Sequence, residues 1–458
     1  MTGEKDSSGG LLRHITLRSA TALVVANMIG AGIFTTTGFQ AADLGHPALI
    51  YALWVIGGCL AFFGALCFAE LGAMLPKAGA EYVYIRESYG NLFAFMSAFV
   101  ALIAGFSAPI AAAAKSLVIY LGYFVPQLQD NPTVLNIQLV NICAIAIVWA
   151  LVALHSTGVK AGFRFGDTVT AFKVIGIVLI IGAAFTVGDG NVGWITQPAE
   201  NYQAESPADL ATALATSLIF VTFCYLGWNG SAYVASEMKD PQRSLPRSLL
   251  LGTGIVTTLY LFLNVVYFYA AGVDGLAGQV DVGVIAATNL FGPKGVTAVT
   301  LVLCVSILAS ASAMIIAGSR VYYAFGRDFS PLGWLSEVSS SSGAPWRSLI
   351  LQGIVISIII LSGRVDQILQ YAGFTLTLFS SIAVSCVIIL RYKEPDLPRP
   401  FKAWGYPFTP LLYIAASLWT MVWAFRGRPV ESTLALLTAA VGGLLFWVVM
   451  RSDKRRAP

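Results

Sequence analysis

Apolar residues run for about 18 to 34 positions at a time, some twelve times over, with short polar connections between the runs. A helix rises about 1.5 Å per residue, so about 20 apolar residues cross the ~30 Å hydrocarbon layer of a bilayer. Lipid offers no hydrogen bonds, and a helix is the form that closes its backbone bonds within one segment. Hydrophobic residues are 57% of the 458 and charged residues 11%, with a mean hydropathy of +0.76. No soluble domain could bury that much apolar surface. The pattern predicts an all-α polytopic membrane protein with twelve transmembrane helices, its outer faces against membrane lipid. The spans fall at about 17–39, 48–74, 92–125, 137–156, 163–187, 209–236, 247–272, 296–325, 346–363, 367–391, 405–425 and 431–450. The polar start, Met1–Arg18, shows no cleavable signal.

The charges orient this array. With both termini in the cytoplasm, 21 of the 27 Lys and Arg residues lie on the inner side, Lys77, Arg86, Lys160, Arg164, Arg243 and Arg391 among them. Asp43, Asp189, Glu200, Glu205, Asp274 and Asp281 fall on the outer side. The positive-inside rule accounts for this basic face without a nucleic-acid partner. All six cysteines lie inside apolar runs, so no structural disulfide is expected. His14, His46 and His155 have no metal-ligand spacing. A phosphate-binding G-x-x-x-x-G-K-[ST] loop is absent, and no nucleophile–base pair is visible. The chain reads as neither an ATPase nor an enzyme, with no cofactor and no metal.

Two spans are interrupted at corresponding places. The first reads Met28-Ile29-Gly30-Ala31-Gly32-Ile33-Phe34; the sixth reads Phe223-Cys224-Tyr225-Leu226-Gly227-Trp228-Asn229-Gly230. Each glycine weakens a helix by about 1 kcal/mol relative to alanine. Unwound backbone at mid-membrane survives only against protein or a watery cavity. A matched pair of such breaks is the best sequence pointer to a transporter's substrate site. Small-residue helix packing explains one break well, but not the second at the matching place.

Four inner segments add to the breaks: Glu70–Tyr82 (ELGAMLPKAGAEY), Glu237–Pro246 (EMKDPQRSLP), Gly318–Asp328 (GSRVYYAFGRD) and Arg391–Pro400 (RYKEPDLPRP). In this order they resemble the amino acid–polyamine–organocation transporters, closest to the L-type amino acid transporters and their bacterial relatives. The likeness runs from about Leu17 to Arg451. It implies two inverted five-helix repeats, 17–187 and 209–391, around an outer loop at 188–208. An inner loop at 392–404 and two appended helices within 405–450 follow, with cytoplasmic tails at 1–16 and 451–458. It also implies alternating access around a central site.

The amides of Gly30, Ala31 and Gly32, at the restart of the first helix, suit a carboxylate. Carbonyls of Met28, Phe223, Cys224 and Leu226 suit an α-ammonium. Ile29, Tyr225 and Gly227 complete the candidate site. By resemblance Phe223 is an aromatic lid, with ordinary apolar packing as the plain alternative. Ala31 stands where the family usually has serine, and Leu226 where it commonly has glycine. Leucine there should limit the substrate's side chain.

Lys173 sits about eleven residues into the fifth span, too deep to reach water easily. A central lysine costs about 2.5–3.5 kcal/mol on insertion scales. By resemblance its ammonium stands where sodium-coupled relatives hold a sodium ion and binds the unwound carbonyls of the first span. A purely structural tether is the plain alternative. Lys115 is expected to extend outward to water. Ser310 and Ser312 are expected to line the cavity near Lys173, with hydrogen bonding to their own helix as the plain alternative. Glu70, Asp167 and Glu237 are expected to pair with inner-loop cations.

No Asp or Glu falls in the middle of spans 1, 3, 6, 8 or 10. A cationic side chain would want a counter-charge in a dry site. The expected function is therefore sodium-independent transport of neutral amino acids, by proton symport or exchange. A cationic amino acid or polyamine carrier is the alternative within transporters, and an amino-acid-gated channel or sensor the alternative outside them. L-type carriers that join a heavy chain do so through a cysteine between spans three and four. Pro126–Asn136 has none, so no disulfide-linked partner is expected, and a bacterial inner membrane is the expected setting.

Overall fold

The computed structural model describes residues 15–454, apart from 78, 129, 131, 135, 136, 158, 204, 205 and 340–342. The tails 1–14 and 455–458 and Glu205 lie outside the described residues, as do the side chains of Lys160, Arg164 and Asp167.

Helices dominate, with one two-residue hairpin, β1 (Thr133–Val134) and β2 (Ile137–Gln138). Span 1 is α1 (Leu17–Met28) plus α2 (Gly32–Leu44), and span 2 is α3 (Pro47–Met74). A short helix, α4 (Glu81–Tyr89), leads into span 3. That span is α5 (Asn91–Val100), a wide π-helical stretch (Ala101–Ser107) and α6 (Ala108–Leu121). Pro109 has no N–H to return to Gly105 four residues back, which favours the wider turn. Spans 4 and 5 are α7 (Leu139–Thr157) and α8 (Val159–Thr186). Span 6 is α9 (Pro207–Tyr225) plus a 3-10 segment (Gly230–Glu237). Then follow α10 (Pro241–Leu276), α11 (Val282–Asp328), α12 (Trp346–Ser362), α13 (Val365–Lys393), α14 (Phe408–Gly427) and α15 (Pro429–Lys454).

Among the described residues, eleven helices are long and apolar enough to cross a membrane. The ninth sequence span, α12, is a shorter apolar helix of 17 residues, about 26 Å long at 1.5 Å per residue. Residues 282–293, ahead of span 8, form a separate apolar helix that breaks at Gly292, where φ is +62°. Spans 1, 3 and 8 are mostly enclosed by protein, whereas α15 exposes Leu444, Trp447 and Val448 to the surroundings. Lipid replaces water as the solvent for such side chains.

Polar contacts tie one end of the bundle together. Ile15 donates its N–H to the Glu237 carbonyl at 2.9 Å and accepts from Lys239 at 3.1 Å. Glu237 faces Arg320 at 3.6 Å. Glu70 accepts two bonds from Arg391, at 2.8 and 2.6 Å, and one from the Ala403 amide. Arg86 pairs with Asp328. The two pairings expected of Glu70 and Glu237 are thus present.

Candidate functional site

Both breaks fall where the glycines stand. α1 ends at Met28; Ile29 is extended, with φ −78° and ψ 91°, and helix resumes at Gly32. α9 ends at Tyr225; Leu226 is extended, and Gly227 takes φ +100°, where a side chain is disfavoured. A Cβ on Gly227 would also lie 2.7 Å from the backbone of Asn27. The two breaks therefore touch. They touch again at Gly32, where an added Cβ would lie 2.7 Å from Cys224 Sγ and 3.4 Å from its Cα.

One hydroxyl laces the breaks together. Tyr260 of α10 reaches the Met28 carbonyl at 2.5 Å and the Cys224 carbonyl at 3.0 Å. Both were candidates to receive a substrate's ammonium. One proton serves one acceptor at a time, and each carbonyl has two lone pairs, so both retain capacity for a second donor.

Two adjoining cavities open at this junction. The smaller, about 20 Å³, is lined by Met28, Gly30, Ala31, Gly32, Phe223, Cys224 and Ser310, among others. The larger, about 50 Å³, is walled by Gly227 and Asn229 of span 6, the π-helical stretch of span 3, and α11 and α13. Asn27, Pro109, Leu226 and Met314 border both. Tyr225 borders neither: its hydroxyl donates to the Trp54 carbonyl at 3.0 Å, and its ring packs on Tyr260. The Ile29 side chain is buried, and its carbonyl serves Lys173.

Lys173 is fully buried, and its ammonium donates to the carbonyls of Ala26 at 3.2 Å and Ile29 at 2.6 Å. Its amino group thus sits on carbonyls at the C-terminal end of α1, where the helix dipole favours a cation. Lys115 does not extend to water as expected. It is 9% exposed and donates to the carbonyls of Ile360 at 3.2 Å and Gly363 at 2.7 Å. The end of α12 offers partners nearer than water, so the lysine caps a helix. Ser312 also departs from expectation: its hydroxyl pairs with His155 Nε2 at 2.8 Å. Ser310 lines the smaller cavity and has no hydrogen-bond partner among the described residues.

Two site residues escaped the sequence reading. Asn27 is 3% exposed, and neither its amide nitrogen nor its oxygen has a partner among the described residues. It lies where the cavities meet, so its amide is available to a bound polar group. An asparagine in an otherwise apolar helix was the available signal. Glu81 lines the larger cavity from α4. It lies outside the apolar spans, where a carboxylate carries no signal of its own.

A family model described as amino acid permease matches residues 15–448. The Mus musculus b(0,+)-type amino acid transporter 1 is 28% identical over 95% of this chain and 88% of its own. The Homo sapiens large neutral amino acids transporter small subunit 2 is 27% identical over 96% and 81%. The Homo sapiens cystine/glutamate transporter is 28% identical over 97% and 87%. Broken spans over a common cavity, and a match along nearly the whole chain, agree: the protein belongs to the amino acid permease family and is a membrane transporter of amino acids, not an enzyme.

Proposed function

We propose that the protein carries neutral amino acids by alternating access, without sodium and without a disulfide-linked partner. The observation that carries this reading is the smaller cavity. It is ringed by the ends of two broken helices, and among the described residues no carboxylate lines it. The amides of Gly30, Ala31 and Gly32 receive the substrate's carboxylate. Carbonyls of Met28 and span 6 receive the ammonium beneath Phe223. Met314, Ala112 and Leu226 leave an apolar wall for the side chain. Lys173 supplies the positive charge beside the unwound span, so a metal cation is not needed there. Spans 1–5 and 6–10 act as the two moving repeats, in a cell membrane with both termini in the cytoplasm.

Uptake of labelled alanine into proteoliposomes tests this. Unlabelled alanine and leucine should compete, tryptophan less well, and arginine and putrescine poorly. Replacing sodium by choline should change nothing. Dominant competition by arginine, or uptake that needs a sodium gradient, refutes the reading.

A further inference from the structure

Glu81 is the only carboxylate lining the larger cavity among the described residues. It opens α4, directly after a turn in which Gly79 takes φ +102° and Ala80 φ +40°. The latter is rare for a residue with a Cβ. That turn directs Glu81 toward the cavity, while the half-buried Arg86 and the exposed Glu87 further along α4 pair with each other. The Glu81 carboxyl has no hydrogen bond and no ion pair among the described residues. It shares the cavity lining with Ser97, Ser380, Tyr233 and Asn229, and the residue is partly buried.

The groups within its electrostatic reach are Tyr233 of span 6, Cys386 of α13 and Tyr413 of α14, all neutral side chains. Of the cations nearby, Arg86 pairs with Asp328, Arg391 with Glu70 and Arg320 with Glu237, while Lys393 of α13 donates to the Ser88 carbonyl at the far end of α4. A buried carboxylate with no cation is better off protonated. Burial pushes the Glu81 carboxyl up to about 7 from an ordinary 4.5.

The cavity that Glu81 lines adjoins the proposed substrate site through Asn27, Pro109, Leu226 and Met314. For substrate to leave toward this end of the bundle, water must reach the carboxyl. We propose that Glu81 is the proton-binding group of the inner gate, holding a proton while the larger cavity is closed and giving it to water when the cavity opens. The step is a simple ionisation, carboxylic acid to carboxylate, with the proton passing to a water molecule. The assignment rests on the alternating-access reading above and adds to it the group that senses pH.

The sign follows from linkage. The closed state has the raised pKa, so it is favoured at low pH and loses that advantage as pH rises through about 7. Between pH 6 and 8 the closed-to-open ratio falls about tenfold, from a pKa of about 7 closed and 4.5 hydrated.

The test is equilibrium exchange of labelled alanine across proteoliposomes, with the same pH on both faces. The wild-type rate should change by up to about tenfold between pH 6 and 8. Glu81→Gln, permanently uncharged, should give a flat profile while binding alanine as wild type does at pH 6. Glu81→Asp should restore a pH-dependent profile, which keeps the test open if the glutamine variant does not fold. A flat wild-type profile, or a glutamine variant that keeps the wild-type profile, overturns the proposal. So does a glutamine variant that loses arginine transport with its alanine profile unchanged, which would make Glu81 a counter-charge for cationic substrates. Wild-type protein that neither binds nor exchanges alanine is a separate failure: it sinks the transport reading, and the gate with it.

Discussion

Gly30→Ala should weaken substrate binding, and Ser310→Ala should restore it. A Cβ on Gly30 would lie 2.8 Å from Ser310 Oγ but 3.5 Å from Ser310 Cβ. Ordinary carbon–oxygen contact begins near 3.4 Å, so only the hydroxyl is in the way. Gly30 is not in the left-handed region, so its backbone admits alanine. Ser310 is 1% exposed, so its hydroxyl can turn only within the small cavity it lines. Overpacking of this kind costs about 1–3 kcal/mol. If the strain shifts the amides that receive the carboxylate, the dissociation constant rises about 5- to 150-fold. Ser310→Ala removes an oxygen with no partner and should leave affinity within about threefold. The double variant should return to within about threefold of wild type, a coupling of about 1–3 kcal/mol in a double-mutant cycle. Equilibrium binding of labelled alanine to the four purified proteins, each checked for an intact thermal transition, measures this. Wild-type affinity in Gly30→Ala would show slack that the geometry denies. A double variant as weak as Gly30→Ala would show that the serine oxygen is not the obstacle. Valine at Gly30 or Gly32 is a poorer probe, because its branches meet Ser310 or Cys224 whether or not substrate binds there.

The breaks in spans 1 and 6 were legible because glycine runs inside apolar runs have few explanations. The structure puts those breaks at residues 29–31 and 226–229. Lys173 was legible for a similar reason, since an uncompensated charge at that depth is costly. What the sequence hid was partner choice. Nothing in a chain of one-letter codes says that the end of α12 comes within reach of Lys115, or that Ser312 meets His155 rather than the cavity. Tyr260 was invisible too: a tyrosine in a transmembrane run reads as packing, and only the fold brings its hydroxyl to two carbonyls from different breaks. Tyr225 erred in the opposite sense, because its place in the break suggested the site while its side chain turns toward α3. Glu81 carried no such signal, because it lies outside the apolar runs, where a charge is ordinary. A connecting helix that folds under the bundle can bring a loop residue against the substrate route.

Two further outcomes follow from the arrangement of charge. In a cysteine-free background, Asp189→Cys should react with an impermeant thiol reagent added outside intact cells, while Gln242→Cys should react only after lysis; equal labelling of both from outside would reverse the assigned topology. The two buried lysines should part company. Lys173→Met strands the carbonyls of Ala26 and Ile29 beside the unwound segment. Hydrogen bonds from a charged donor contribute about 1.5–3 kcal/mol each, partly offset here because a cation no longer has to be buried. Since the stranded carbonyls belong to the segment that shapes the site, alanine exchange should fall at least about tenfold. Lys115→Met strands instead the carbonyls of Ile360 and Gly363. Neither borders the two cavities, so the thermal transition should drop while alanine affinity stays within about threefold. Equal losses of affinity in both variants would mean that the site responds to any buried cation in the bundle, and the contact of Lys173 with span 1 would lose its special meaning.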